Sequence, residues 1–477
     1  MSPMKWRRLG RVALMVFAVL AVPVVVAAFG IARATGQIYT ARDASAPPVS
    51  VDAVAPPAHD PTKPTVVIVL SAQGTNIADV LAPYEVFAHT GAFNLYTVAE
   101  RREPIPLTGG VDLIPDLSFA QLADRLHGTP DVIMVPQIHD SGEPSSAPIV
   151  EWLQRQDAEG DPLMVSVCVG AEVLASAGLL DGRPATSHWL KLIDLRRSYP
   201  QVPWHDGVRY VDDGDVITAA AVLSGVDAAL RVVERIVDQD TAKKAAEAVA
   251  WPDYLPGRAA AFPPVRLAPS DTVGLLNAAY RWDRPNMGVL MTNGVGELEL
   301  AAAFRPYIEL SYLARPMALT INGQPIRSRH GLTFAPRADL KNAAPQLDRL
   351  VVPGAEAARQ AAGWAPPEQL PPVYLHTQPG FAFDAALRDI ARTTDVATAQ
   401  WVAKTVQYPN TNPQLSGPAW PWNLTLRPIL IAAASAAAVI LIFKITGRRG
   451  DAVDQAPVES EGRTSRQGGN HATASRS

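Results

Sequence analysis

The sequence predicts an α/β protein: a parallel sheet sandwiched by helices, then a degenerate second copy of the same pattern, with a transmembrane helix near either end. Three observations carry this. Short β-branched runs alternate with amphipathic stretches from residue 65 onward. The order of several of these segments recurs after residue 265. A long uncharged apolar run lies near each terminus.

The 477 residues, 48% hydrophobic and 18% charged, are ordinary globular composition slightly rich in apolar residues. A net charge of -4 with no long Lys/Arg run before the tail argues against nucleic acid as a partner. Residues 12–32, "VALMVFAVLAVPVVVAAFGIA", follow Lys5, Arg7, Arg8 and Arg11. At about 1.5 Å per residue such a run crosses a hydrocarbon core of about 30 Å. "ARA" at 32–34 loosely resembles a signal cleavage site, but the run exceeds a usual signal core, so 1–34 is expected to be a retained anchor. The second run, "PILIAAASAAAVILIF" at 428–443, has Trp420 and Trp422 before it and Lys444, Arg448 and Arg449 after it, which predicts a span over 424–446. Basic outer flanks put both termini in the cytoplasm, at the cell membrane, and the chain between them outside. Residues 35–64, rich in Pro and Ala, are expected to be a linker, and 447–477 a disordered cytoplasmic tail.

Each element of the first domain (65–260) has its own signal. "TVVIVL" at 65–70 reads as a buried strand, and "ADVLAPYEVFAHTG" as an amphipathic helix. "FNLYTVAE" (strand), "FAQLADRL" (helix), "PDVIMVPQ" (strand), "APIVEWLQRQDAEG" (helix), "PLMVSVC" (strand) and "AEVLASAGLL" (helix) follow. Such βαβ units give a parallel sheet covered on both faces, with sites at the carboxyl ends of its strands. Cys168, the single cysteine, stands at such an end, before a helix opened by Gly170 and Ala171. A helix N-terminus favours the thiolate, so a depressed pKa is expected; the alternative is a buried packing residue, and the position at the strand end favours chemistry over it.

"SVCVGAEVLASAGLLDGRPATSHW", preceded by "ADVLAPYEVF" and followed by "AAAVLSGVDAALRVVERI", resembles the ThiJ/PfpI superfamily of class I glutamine amidotransferase-like domains, with a flavodoxin-like sheet. The likeness runs over about residues 65 to 252 and is strongest to the branch of isonitrile hydratase and of the sensor domains of AraC-type regulators. The resemblance implies that Cys168 is the elbow nucleophile, His188 its neighbouring histidine, Asp79 the acidic side chain that meets the thiol, and Glu85 a second acidic position. Outside it, Asp79 reads as a helix-start carboxylate and His188 as a packed histidine. Two departures stand out: Val169 follows the nucleophile where that branch has threonine, and "PQIHD" at 136–140 replaces the family's Pro-Gly-Gly loop. His139 lies in that altered loop.

The second copy (265–410) follows from "DAALRDIARTTDVATAQWVAKTVQYP" at 384–409, which aligns without gaps to "DAALRVVERIVDQDTAKKAAEAVAWP" at 227–252. "AAAFRPYIEL" at 301–310 matches "ADVLAPYEVF", and "LDRLVVP" at 347–353 matches "PDVIMVP". The elbow and the "ATSHW" motif have no counterpart there; Ile308 stands for Glu85 and Ala301 lies near the place of Asp79. This half is expected to pack against the first as an intramolecular pseudo-dimer without thiol chemistry. Two functions fit: a membrane-anchored extracytoplasmic enzyme using Cys168 on a small electrophile in a hydratase, hydrolase or amidotransferase-like reaction, or a non-catalytic ectodomain sensing a small molecule or redox state. No cofactor or metal is expected.

Overall fold

The computed structural model describes residues 3–252, 254–258, 262–361, 363, 369–409 and 414–453. It divides into two units, one of the terminal segments Met1–Val25 and Arg427–Ser477, the other Val26–Leu426. Two long helices, α1 (Pro3–Thr35) and α11 (Trp422–Val453), hold the apolar runs; Val12–Thr35 and Trp422–Ile445 are each long and apolar enough to cross a membrane. The tail expected to be irregular from 447 stays helical to Val453, and from 454 it lies outside the described residues.

Seven strands form the first sheet, built on β1 (Thr65–Val69), β2 (Asn94–Ala99), β3 (Val132–Val135), β4 (Leu163–Val167) and β5 (Val216–Ala219). Its order is Tyr210–Asp212, β5, β4, β3, β1, β2, Leu117–Ser118, and only the Tyr210–Asp212 edge runs antiparallel. Between the strands lie α2 (Ile77–Thr90), α3 (Ala147–Gly160) and α4 (Gly170–Ser176), with α5 (Ser224–Ile236) and α6 (Gln239–Ala248) after β5. Burial of all five β1 residues explains its unbroken apolar run. α4 is shorter than expected because Gly178, at φ +78°, turns the chain.

After α7 (Thr272–Tyr280), β6 (Asn286–Leu290), β7 (Arg315–Thr320), β8 (Arg349–Pro353) and β9 (Pro372–Leu375) form a second, all-parallel sheet with the short strand Ala338–Asp339. Its order is Ala338–Asp339, β7, β6, β8, β9. α8 (Glu297–Ile308) follows β6, and α9 (Ala382–Thr393) and α10 (Val396–Thr405) close the region. The placement of β6 between β7 and β8 mirrors that of β1 between β2 and β3. α2 packs on α8; every residue of α8 and Ile77–Phe87 of α2 are buried, as suits helices enclosed on all sides. Each region also contributes a hairpin to one four-stranded antiparallel sheet, joined where Leu113 pairs with Phe334.

The segment 35–64, expected to be a free linker, lies on this body instead. Arg42 Nη1 meets Asp112 Oδ2 at 2.7 Å, Arg125 donates to the Pro57 carbonyl at 2.8 Å, and Arg102 donates to the Val54 carbonyl. Its only described regular piece is a turn at Val51–Ala53, so its carbonyls are open to arginines of the body.

Candidate functional site

Strand β4 ends at Val167 and α4 begins at Gly170, so Cys168 must reverse the chain within two residues. It does so at φ +57°, a left-handed conformation rare outside glycine, with its N–H donating to the Ala219 carbonyl (3.0 Å) and its carbonyl accepting from Ser187 (2.8 Å). Gly170 permits the close pass: a Cβ there would stand 2.0 Å from the Val135 carbonyl oxygen. The geometry is that of a nucleophile elbow.

What surrounds the sulfur differs from the expectation. Cys168 is 2% exposed, and its Sγ donates to Gln137 Oε1 at 3.4 Å. The other end of the same amide, Nε2, donates to Glu309 Oε1 at 2.9 Å. Glu309 follows α8 in the second region, where Asn76 Nδ2 donates to its Oε2 (2.6 Å) and Arg305 pairs with the same oxygen at 2.7 Å. Asp79 accepts the Gln137 backbone N–H at 3.1 Å through Oδ2, while Oδ1 is buried without a partner.

The thiol pKa is accordingly raised, not depressed. Burial pushes it up, followed by the charges of Asp79 and Glu309, against which Arg305 and the Val169 N–H act more weakly. A helix terminus contributes about 0.3–1 kcal/mol toward an anion. Complete burial acts in the opposite direction by up to several kcal/mol, and α4 has seven residues. Asp79 is pushed well up by burial and then by Glu309, so it holds its proton more tightly than an ordinary carboxyl.

Of the four predicted residues, only Asp79 joins Cys168 around Gln137. His188 points elsewhere: its Nε2 lies 2.9 Å from the Thr405 carbonyl at the end of α10, and burial lowers its pKa to about 4. It is a neutral link between the two regions. Glu85 lies six residues beyond Asp79 on α2, about one and two-thirds turns and so on a different face, where it accepts the Leu298 N–H at 2.6 Å near the start of α8 and meets Arg329 at 3.2 Å. The reason is helical geometry: the carboxyl faces α8, away from the elbow. Glu85, Glu297 and His330 place ligand atoms within 4.8 Å of one another. Arg329 and His330, whose Nδ1 is 2.8 Å from Glu297, already supply this cluster with cationic and hydrogen-bonding partners.

Gln137, Arg305 and Glu309 are the site residues sequence reading missed. Gln137 sits in the altered loop, and Arg305 and Glu309 lie in the very repeat motif "AAAFRPYIEL" whose missing acids drew attention. His139 is exposed, its ring 4.8 Å from that of Tyr39.

Comparisons with known proteins agree with this architecture. Residues 65–235 match the DJ-1/PfpI family. The chain is 32% identical over 170 residues to an isonitrile hydratase of Pseudomonas putida, covering 35% of this chain and 69% of the hydratase. It is 28% identical over 151 residues to Protein DJ-1alpha of Drosophila melanogaster, covering 31% of this chain and 67% of that protein. To the HTH-type transcriptional regulator CdhR of Pseudomonas aeruginosa it is 38% identical over 85 residues, 18% of this chain and 25% of the regulator. With its elbow cysteine on a parallel sheet and these relatives, the chain belongs to the DJ-1/PfpI family.

Proposed function

We propose that this protein is a membrane-anchored, extracytoplasmic sensor or small-molecule-binding module whose single thiol is held closed until a ligand or oxidant displaces its cover. One observation carries the reading: the Gln137 amide spans from Cys168 Sγ to Glu309 of the second region. A nucleophile must reach its electrophile, whereas a thiol that reports a change is best shielded beforehand. The likeness to part of a transcriptional regulator favours the same class.

In this reading residues 265–410 are a shortened second copy of the domain, packed on the first as a pseudo-dimer. The matching strand order supports it, as do paired contacts: Trp251 Nε1 donates to Asp227 and Tyr408 Oη to Asp384, at aligned positions of the repeat. The two apolar helices serve as anchors with both termini cytoplasmic; reporter fusions after residue 260 with cytoplasmic-type activity would overturn that topology.

The test is alkylation of Cys168 in the folded protein near neutral pH. Wild type is expected to react slowly, Gln137→Ala faster by about tenfold or more, and both equally once denatured. Wild-type reaction as fast as that of a free exposed thiol would sink the closed-thiol reading. A second reading, an enzyme acting on an isonitrile or other small electrophile, draws on the left-handed elbow and the proton-holding Asp79 beside it. Turnover of isonitriles that is lost in both Cys168→Ser and Asp79→Asn would establish it in place of the first.

A further inference from the structure

We propose that a cavity of about 250 Å³ beside the end of α1 seats the phosphate of an anionic phospholipid. The inference rests on reading Val12–Thr35 as a membrane span. Four guanidinium side chains, Arg33, Arg281, Arg284 and Arg315, line this one cavity together with Phe29 and Trp282. Like charges gathered around a partly enclosed space repel one another unless an anion sits among them.

Arg315 shows the deficit most directly. Its Nε is buried without a hydrogen-bond partner, and its terminal nitrogens reach Asn286 Oδ1 and the Trp282 carbonyl only at 3.5 Å each, the outer limit of a bond. Buried donors in folded proteins are almost always satisfied, so an orphaned guanidinium N–H on a cavity wall marks the place of an acceptor. Arg284 is 7% exposed and held by neutral carbonyls: Nε donates to Tyr312 at 2.9 Å, Nη2 to Asn277 at 3.2 Å and to Ala278 at 3.0 Å. Burial, then Arg315 and Arg281, with Arg33 behind them, draw its pKa down to about 10. Arg281 is oriented by Asn277 Oδ1 at 2.9 Å and 3.1 Å. The wall is thus pre-positioned, and four guanidinium side chains lining one space suit a tetrahedral oxyanion.

The rim says which anion. Phe29 is 71% exposed on the last turns of the apolar run, and Trp282 and Leu275 are 49% and 58% exposed on the adjoining segment after and along α7. Aromatic and aliphatic side chains exposed beside arginines at the end of an apolar helix are the pattern of headgroup depth, where acyl chains continue alongside the helix and the phosphate meets the cations. A free phosphate ion shares the charge chemistry but would make no use of the apolar rim.

The full-length protein in a nonionic detergent provides the test, read as the thermal midpoint on adding dioctanoyl phosphatidylglycerol, dioctanoyl phosphatidylcholine or inorganic phosphate. Phosphatidylglycerol is expected to raise the midpoint at about tenfold lower concentration than inorganic phosphate, with phosphatidylcholine weaker than either. Arg315→Gln should weaken the effect about tenfold, and Arg315→Lys should recover part of it. If Arg315→Gln does not fold, Arg33→Gln on the cavity wall answers the same question. No response to any of the three, or an undiminished response in the variants, overturns the anion site. Inorganic phosphate as effective as phosphatidylglycerol overturns the lipid assignment. Extraction of the protein from membranes by alkaline carbonate overturns the span reading separately, whatever the lipid titration shows.

Discussion

Helices α2 and α8 invite comparison because they pack on each other, carry a proline at matched places (Pro83 and Pro306), and do opposite work at the thiol. α2 contributes Asp79, whose carboxyl is buried beside the elbow of the first region and has its pKa raised by that burial. α8 contributes Arg305 and leads directly to Glu309, which pins the far end of the Gln137 amide. The second region, without an elbow of its own, therefore completes the surroundings of the first region's sulfur.

The largest expected difference between the regions lies at Asp227 and Asp384. Asp227 binds the fully buried Arg209 and accepts from Trp251 Nε1 at 3.0 Å, whereas Asp384 accepts from Tyr408 and meets an exposed Arg388 at 3.5 Å. Asp227→Ala strands a buried guanidinium and is expected to cost about 3–5 kcal/mol. Asp384→Ala, which removes a hydrogen bond and a solvated ion pair, should cost about 1 kcal/mol. Urea unfolding of the two variants decides it, and equal costs would break the comparison.

A second difference appears on titration. His188, which ties the first region to α10, has its pKa lowered by burial from 6.5 to about 4. A base with a depressed folded pKa stabilises above its unfolded value, and that contribution is lost as pH falls toward 4. At about 1.4 kcal/mol per unit this amounts to about 3 kcal/mol. Asp116, in the first region alone, is raised by burial from 3.8 to about 6, so its contribution has the opposite sign: present below 3.8 and lost as pH rises through 6. The two nearly cancel over this window. Relative to wild type, the profile between pH 4 and 6 should tilt toward loss with rising pH in His188→Gln and toward loss with falling pH in Asp116→Asn. Parallel profiles in all three proteins would show that neither group carries the assigned charge cost.

How much of this was legible in the sequence follows from the range of each interaction. The strands and helices from Thr65 to Ser176 were readable because period and β-branching act locally, and the α/β class follows from their alternation. The left-handed turn at Cys168 was foreshadowed by Gly170, a residue the close pass demands. The thiol's acidity was misjudged because a helix terminus is visible in sequence whereas the lid above it is not. Gln137 and Glu309 lie 172 positions apart and meet only through the packing of α2 on α8. The placement of His188 and Glu85 away from the sulfur was illegible for the same reason: their partners, Thr405 and Leu298, come from the other region.

The smallest expected effect is at two helix starts that are identical in design. Asp238 caps α6 by accepting Thr241 N–H at 2.7 Å, and Asp395 caps α10 by accepting Thr398 N–H at 2.7 Å; each also takes the threonine hydroxyl. Their settings differ. The Thr241 bonds lower the pKa of exposed Asp238, so its stabilisation is present above the unfolded value and lost as pH falls below it. Burial raises that of Asp395, so its contribution is largest below its unfolded value and fades as pH rises through the folded one. Near neutral pH, Asp395→Ala should cost about 1 kcal/mol for the lost cap, while Asp395→Asn, which keeps an accepting oxygen without the buried charge, should be close to neutral. Asp238→Asn should destabilise instead, because there the charge faces both water and the positive end of the helix. Chemical denaturation at pH 7 measures both. The same sign for the two asparagine variants would mean that α6 and α10 begin in equivalent surroundings after all, and that the burial of Asp395 does not govern its cap.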